Sequence, residues 1–244
     1  RLAFMKKHIP NILTSLNLLC GWASIYFSFK GDFSLSMSLI VFASVFDFLD
    51  GFAAKKLNVQ SDLGAQLDSF ADLVTFGIAP SIVVYKLSTF IESDLSNNLQ
   101  LFIFLLIGLI PVFAAIRLAK FNINKEKTNH FIGLPSPAFA LIVVAFSSMF
   151  IAYDKQISNF TNYQFVFPCI MILISLLMVS KLKFISFKFD NYNFNENKLR
   201  YLLILCSVLS SIFLLIIGQV FFISPMVLLL YILFSLSSNL KGLN

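Results

Sequence analysis

Charge is what this chain of 244 residues lacks most. Asp, Glu, Lys and Arg together make up 12% of it, where a soluble domain of ordinary composition carries about a quarter. That shortfall excludes a disordered tail and an ordinary cytosolic enzyme. Cysteine is also scarce. Cys20, Cys169 and Cys206 lie far apart inside apolar runs with no C-x-x-C spacing, which excludes a secreted disulfide scaffold and leaves them as small buried hydrophobes. The two histidines, His8 and His130, flank apolar runs without metal-ligand spacing, and read as surface contacts rather than catalysts. What is abundant is apolar: 58% hydrophobic residues, 30 Phe and a mean hydropathy of +0.86. Water cannot be the main solvent of such a surface, so the composition specifies a polytopic membrane protein with nothing left over for a soluble domain. Trp22 and most of the Phe are expected to face lipid or to pack between helices.

Crossing ~30 Å of hydrocarbon takes about 20 apolar residues. Eight runs qualify, at about 11–29, 33–54, 66–87, 98–121, 135–153, 163–181, 199–217 and 219–237, with Gly218 turning the last two into a tight hairpin. The net charge of +6 raises nucleic acid as a partner, but the distribution of the cations answers it. One side of the alternation holds Arg1, Lys6, Lys7, Lys55, Lys56, Arg117, Lys120, Lys125, Lys127, Lys181, Lys183, Lys188, Lys198, Arg200 and Lys241; the other holds Lys30, Lys86 and Lys155. This is a positive-inside pattern that places both termini in the cytoplasm and favours an even number of spans. No small-residue cleavage site follows the first run, so it is expected to stay as a span. Met5, followed by Lys6 and Lys7, has the form of a natural start. The Asn-rich stretch 188–200 reads as a loop. The expected organisation is a membrane core over 1–182, a cytoplasmic loop over 183–198 and a two-helix extension over 199–244, without internal repeats.

Against this background, five of the twelve acidic residues fall between positions 47 and 72. Asp47 and Asp50 are three apart and Asp68 and Asp72 four apart, spacings that put each pair on one helix face. At 1.5 Å per residue, Asp47 lies ~12 Å inside Lys55 and Asp72 ~12 Å inside Gly64. Antiparallel helices joined by a short loop therefore bring four carboxylates to one level beneath the cytoplasmic surface. Each costs ~2.5–3.5 kcal/mol to insert in a bilayer, so something must offset them. Hard divalent cations do so with oxygen ligands, and two ions about 4 Å apart can share four aspartates. A cation pathway in a carrier and solvated helix ends stay open as alternatives. Gly51, Ala54, Gly64 and Ala65 on the same faces let a ligand approach closely, or else serve helix packing.

Written out, residues 47–72 read DFLDGFAAKKLNVQSDLGAQLDSFAD. This resembles the signature of the CDP-alcohol phosphotransferase family, D-x2-D-G-x2-A-R-x8-G-x3-D-x3-D, at every spacing, with Lys55 standing where the family has Arg. Lys keeps the charge but not the bidentate fork. The segments PNILTSLNLLCG (10–21), FGIAPS (76–81), IRLAKFN (116–122) and GLPSP (133–137) are similar to those of the bacterial and archaeal phosphatidylserine synthases in that family. The resemblance spans about residues 9–182.

It implies an all-α integral membrane protein of about eight transmembrane helices, with a six-helix core and a C-terminal helix pair. The implied reaction is attack by the hydroxyl of L-serine on CDP-diacylglycerol, releasing CMP, in the inner (plasma) membrane and facing the cytoplasm. It also implies a homodimer, no nucleic acid, and Mg²⁺ or Mn²⁺, as two ions, on Asp47, Asp50, Asp68 and Asp72, with Asp72 as general base. Gly51, Ala54, Lys55 and Gly64 would border the nucleotide, together with Asn11 and Thr14, which alternatively serve as a helix cap and a back-bonded hydroxyl. A zwitterionic acceptor calls for a cation, for which Arg117 and Lys120 are candidates, with Asn122 and Ser136 beside them. Lys125 and Lys127 read as membrane anchors. The rivals are the same transfer to glycerol 3-phosphate or inositol phosphate, and a cation transporter.

Overall fold

The computed structural model describes residues 2–90, 96–123, 131–153, 163–185 and 197–240. Its helices are α1 (Leu2–Lys30), α2 (Phe33–Lys56), α3 (Asp62–Asp72), α4 (Ala79–Phe90), α5 (Asn97–Ile107), α6 (Leu109–Ile123), α7 (Ser136–Ala152), α8 (Tyr163–Val179), α9 (Lys198–Ile216) and α10 (Ile223–Leu240). A π-helical segment, Leu73–Ile78, fuses α3 to α4, and α5 runs into α6 through Gly108. Among the described residues these make eight helical rods, each overlapping an expected apolar run. Six are long and apolar enough to cross a membrane: His8–Lys30, Phe33–Lys56, Asp62–Thr89, Asn97–Ile123, Lys198–Ile216 and Val220–Ser238. α7 and α8 are apolar but shorter, at 17 residues each, or about 26 Å. This is an integral membrane helical protein.

Local chemistry sets the turns. Gly31, at φ +80, reverses the chain after α1, and the Asp32 side chain accepts a hydrogen bond from Leu35 N at 3.0 Å to cap α2. Ser61 caps α3 by accepting from Gly64 N at 3.1 Å, so this helix opens at Asp62, four residues before the run expected from residue 66. Asp62 then sits in the first turn, where the helix dipole favours a negative charge. Gly218, at φ +75, ends α9 with bonds from Gly218 N to Leu215 O and from Gln219 N to Leu214 O, making the expected hairpin. Across that turn the Tyr153 hydroxyl at the end of α7 bonds Gln219.

The first helix is built inside out. Its buried face is Pro10, Thr14, Asn17, Gly21, Ser24 and Ser28, while Ile12, Leu19, Trp22, Tyr26 and Phe29 point outward. In hydrocarbon, apolar side chains gain nothing by hiding, whereas small and polar groups pack closely and bond across helices. Ser24 and Ser28 both bond Ser36 of α2, at 2.9 and 2.7 Å. Gly21 lets the π segment touch α1: a Cβ there would lie 2.8 Å from the Cα of Thr75. The apolar core is centred on α4 and α7, around Phe76, Val83, Phe139, Ile142 and Val143.

A short strand pair has no counterpart in the sequence expectation. β1 (Phe131–Ile132) pairs antiparallel with β2 (Lys183–Phe184), so the segment expected as a loop from residue 183 begins as a strand laid on the approach to α7. Residues 186–196 of that segment lie outside the described residues.

Candidate active site

Three helices meet at the aspartates. α2 ends there with Asp47 and Asp50, α3 carries Asp68 and Asp72, and α1 enters with Asn11 and Thr14. α3 packs against α1 rather than closely on α2, so the two Asp-bearing helices splay and their carboxylates meet across the gap. Carboxylate oxygens of Asp47, Asp50 and Asp68 lie within 4.8 Å of one another. Asp72 faces Asp47 and Asp68 closely enough for their charges to interact. Asp50 and Asp72 are buried, at 5% and 6% exposure. The Thr14 hydroxyl lies 2.5 Å from Asp50 Oδ2 and 3.0 Å from the Pro10 carbonyl. The back-bond considered for Thr14 is thus present together with a contact to the cluster.

Asn11 is not a helix cap, because α1 starts at Leu2 and runs through Pro10. Its Oδ1 instead stands where a Cβ on Gly64 would come within 3.2 Å, bringing the third turn of α1 against the start of α3. Gly51 opens onto free space, with nothing within 4 Å of a Cβ built there. Ala54 is half-buried, and Lys55 is exposed at the end of α2.

The second group comes from α6 and α7. Arg117 Nη1 donates to Ser136 Oγ at 2.7 Å, and Ser136 Oγ donates to Asp72 Oδ2 at 3.4 Å. The guanidinium charge acts on Asp72, Asp47 and Asp68, while its face covers the Phe121 ring. Gly77 lets α6 approach the π segment, since a Cβ there would sit 3.1 Å from Ala114 Cβ. Asn122 Nδ2 donates to Ser69 Oγ at 2.9 Å, fixing α3 against α6. Lys120 behaves differently: its Nζ lies 3.4 Å from the Val179 carbonyl, on the C-terminal end of α8, where a cation complements the helix dipole. Lys125, Lys127 and His130 lie outside the described residues.

A model of the CDP-alcohol phosphatidyltransferase family matches residues 7–233. The chain belongs to that family. Among curated relatives, the CDP-diacylglycerol–serine O-phosphatidyltransferase of Bacillus subtilis is 37% identical over 184 residues, covering 75% of this chain and 92% of the relative. That of Methanocaldococcus jannaschii is 36% identical over 179 residues, 72% of this chain and 73% of the relative. The archaetidylserine synthase of Methanothermobacter thermautotrophicus is 30% identical over 182 residues, 72% and 69%.

A member of this family needs an acidic site fit for a divalent cation, and the aspartates meet that test. Asp68 Oδ1 and Asp72 Oδ1 are buried and have no hydrogen-bond partner among the described residues. A buried carboxylate oxygen left bare is costly, and hard cations take such oxygens as ligands. The donor set is carboxylate alone, as suits Mg²⁺ or Mn²⁺.

Two features of the phosphatidyltransferase escaped the sequence reading. Asn17, one turn below Thr14, is fully buried with both amide atoms unpartnered among the described residues; the 3–4 spacing of Pro10, Thr14, Asn17 and Gly21 is the available signal. The π segment after Asp72 is the other. It adds a residue to the turn and turns Thr75 toward α1, where its hydroxyl donates to Asn17 O at 3.1 Å. Apolar periodicity gives no warning of it.

Proposed function

We propose that this phosphatidyltransferase moves the phosphatidyl group of CDP-diacylglycerol to the hydroxyl of L-serine, giving phosphatidylserine and CMP. The observation that carries the reading is the meeting of four aspartates with a single hydrogen-bonded chain, Arg117–Ser136–Asp72. Serine as acceptor is supported by the relatives named for that activity. It is supported too by Arg117, whose charge acts on the aspartates and whose guanidinium suits a carboxylate, while among the described residues Lys120 is engaged on α8.

Two Mg²⁺ or Mn²⁺ ions held by Asp47, Asp50, Asp68 and Asp72 would neutralise the diphosphate and the charge that develops as CMP leaves. Thr14 orients Asp50 among these ligands. Gly51 leaves room for the nucleotide to lie close to α2, with Ala54, Gly64 and Asn11 along its edge and Lys55 toward its phosphates. Ser136, held by Arg117, donates to Asp72 Oδ2 and orients this carboxylate to take the proton of the serine hydroxyl. The serine oxygen then bonds to the phosphorus that carries diacylglycerol, and the bond from that phosphorus to the CMP oxygen breaks. Arg117, bonded to Ser136 through Nη1, would meet the serine carboxylate with its remaining donors.

The cation distribution supports a cytoplasmic opening in the plasma membrane, where lipid enters from the leaflet and serine from water. The resemblance supports a homodimer.

The test is CMP release by the purified protein in detergent with CDP-diacylglycerol and Mg²⁺ or Mn²⁺, offering serine, glycerol 3-phosphate and inositol phosphate separately. CMP with serine alone is the expected result. CMP with a phosphorylated acceptor instead would overturn the serine assignment while keeping the metal site.

A further inference from the structure

The last helix reaches the active site through a short chain of bonds. Ser136 opens α7, so its position depends on the loop before it. Gly133 N donates to Leu182 O at 2.8 Å and Leu134 N to Leu177 O at 2.9 Å, which presses this loop onto the end of α8. Gly133 has φ +76, and a Cβ there would fall 2.3 Å from the Met178 carbonyl, so the loop fits in one way. Before it comes β1, paired to β2. The residue after β2, Ile185, is gripped at both backbone groups by α10: its N–H donates to Ser235 Oγ at 3.2 Å, and its carbonyl accepts from the Tyr231 hydroxyl at 3.3 Å. The Tyr231 ring also lies against Phe184, with centroids 6.0 Å apart. Tyr231, Ser235, Phe184, Ile185 and Leu134 are all buried. Tyr231 and Ser235 are four apart and share a helix face, and Tyr231 is within electrostatic reach of Arg117.

We propose that Tyr231 and Ser235 are positioning residues for the acceptor side of the site: by holding Ile185 they fix the β1–β2 pair, and with it the seat of Ser136 and Arg117 against Asp72. This rests on the phosphatidyltransferase reading of Asp72 and gives the C-terminal helix a part in catalysis. The bonds converge on the group that meets the acceptor, while the nucleotide side is built by α1, α2 and α3, which α10 does not touch in this chain of contacts. Loosening the grip therefore acts on one substrate and spares the other.

The experiment uses full-length protein carrying Tyr231→Phe, Ser235→Ala or both, with Leu233→Ala on the exposed face of the same helix as control. Tyr231→Phe keeps the ring on Phe184 and removes only the hydroxyl. Each single variant should raise the acceptor KM roughly twofold to tenfold, the range given by one lost hydrogen bond, with the KM for CDP-diacylglycerol unchanged. Hydrogen exchange at the Gly133 and Leu134 amides, measured without substrates, should quicken in the same variants and not in the control. Equal rises in both KM values, or unchanged exchange at those two amides, would overturn the proposal. If the unaltered protein turns over no acceptor, the functional reading fails, and exchange alone still decides whether α10 holds the loop.

Discussion

Gly21→Ala adds one methyl group at the tightest contact between α1 and the segment that follows Asp72. The new Cβ would stand 2.3 Å from Thr75 Oγ1, 2.9 Å from Thr75 Cβ and 2.8 Å from Thr75 Cα. A rotamer change relieves the first of these, but the Cα is backbone and cannot turn away. Reaching the 3.4 Å of ordinary contact requires α1 and the π segment to separate by about 0.6 Å at that point. Overpacking of this kind costs about 1–3 kcal/mol, against a gain of ~0.5–1 kcal/mol for replacing Gly by Ala in a helix. The net, up to about 2.5 kcal/mol, is a fall of up to roughly 10 °C in melting midpoint. The displacement also enters the site, because Thr14 rides on α1 and Asp72 on the helix leading into the π segment. A shift approaching 1 Å in a catalytic constellation costs up to ~100-fold in rate. The assay is paired: thermal unfolding in detergent and CMP release, with Gly51→Ala as reference. Gly51 has nothing within 4 Å of its added Cβ, so that variant should melt no lower than the unaltered protein while weakening CDP-diacylglycerol binding. Gly21→Ala with unaltered melting and turnover would refute the close approach of the two elements.

Asp72→Asn should lower turnover by at least ~10²-fold, as expected for a lost general base, with CDP binding largely retained by calorimetry; near-normal turnover would remove the proton-accepting role. Thr14→Val deletes the hydroxyl 2.5 Å from Asp50 Oδ2, and should weaken Mn²⁺ binding by ~10–100-fold in a titration followed by electron paramagnetic resonance. Lys55→Ala should raise the KM for CDP-diacylglycerol several-fold and leave the acceptor KM alone; an unchanged value would reduce Lys55 to a membrane anchor. Removing divalent cations with a chelator should abolish CMP release, and restoring Mg²⁺ or Mn²⁺ should recover it.

The four aspartates were legible because helical spacing converts directly into a shared face, and because carboxylates inside an apolar run demand compensation. The same arithmetic placed the described rods to within a few residues, except that α1 starts at Leu2, nine residues before the expected run. It misjudged how Asp47 and Asp68 come together: the backbones of α2 and α3 stay apart and the side chains close the distance. Arg117 and Ser136 were named from separate segments, and only the fold joins them in one chain of hydrogen bonds to Asp72. Lys120 looked equivalent to Arg117 three residues earlier, yet it leaves the site for the Val179 carbonyl, a choice made by the neighbouring helix end. The β1–β2 pair was invisible because two residues per strand carry no period. Asn17 carries little signal because an isolated Asn in an apolar run resembles a packing residue until its neighbours are seen.

The inverted seam of α1 also changes what a gentle mutation means in this protein. Ser24→Leu looks benign by hydropathy, since a membrane helix gains an apolar side chain. It would nonetheless force bulk into a fully enclosed contact with Ser36. Leu19→Ser, which hydropathy scores as the harsher change, alters an outward side chain at 60% exposure and leaves every interhelical bond in place. Tolerance along this helix should therefore run opposite to that of a soluble amphipathic helix, and a water-soluble redesign would rewrite its lipid side while leaving Thr14, Asn17, Gly21, Ser24 and Ser28 untouched.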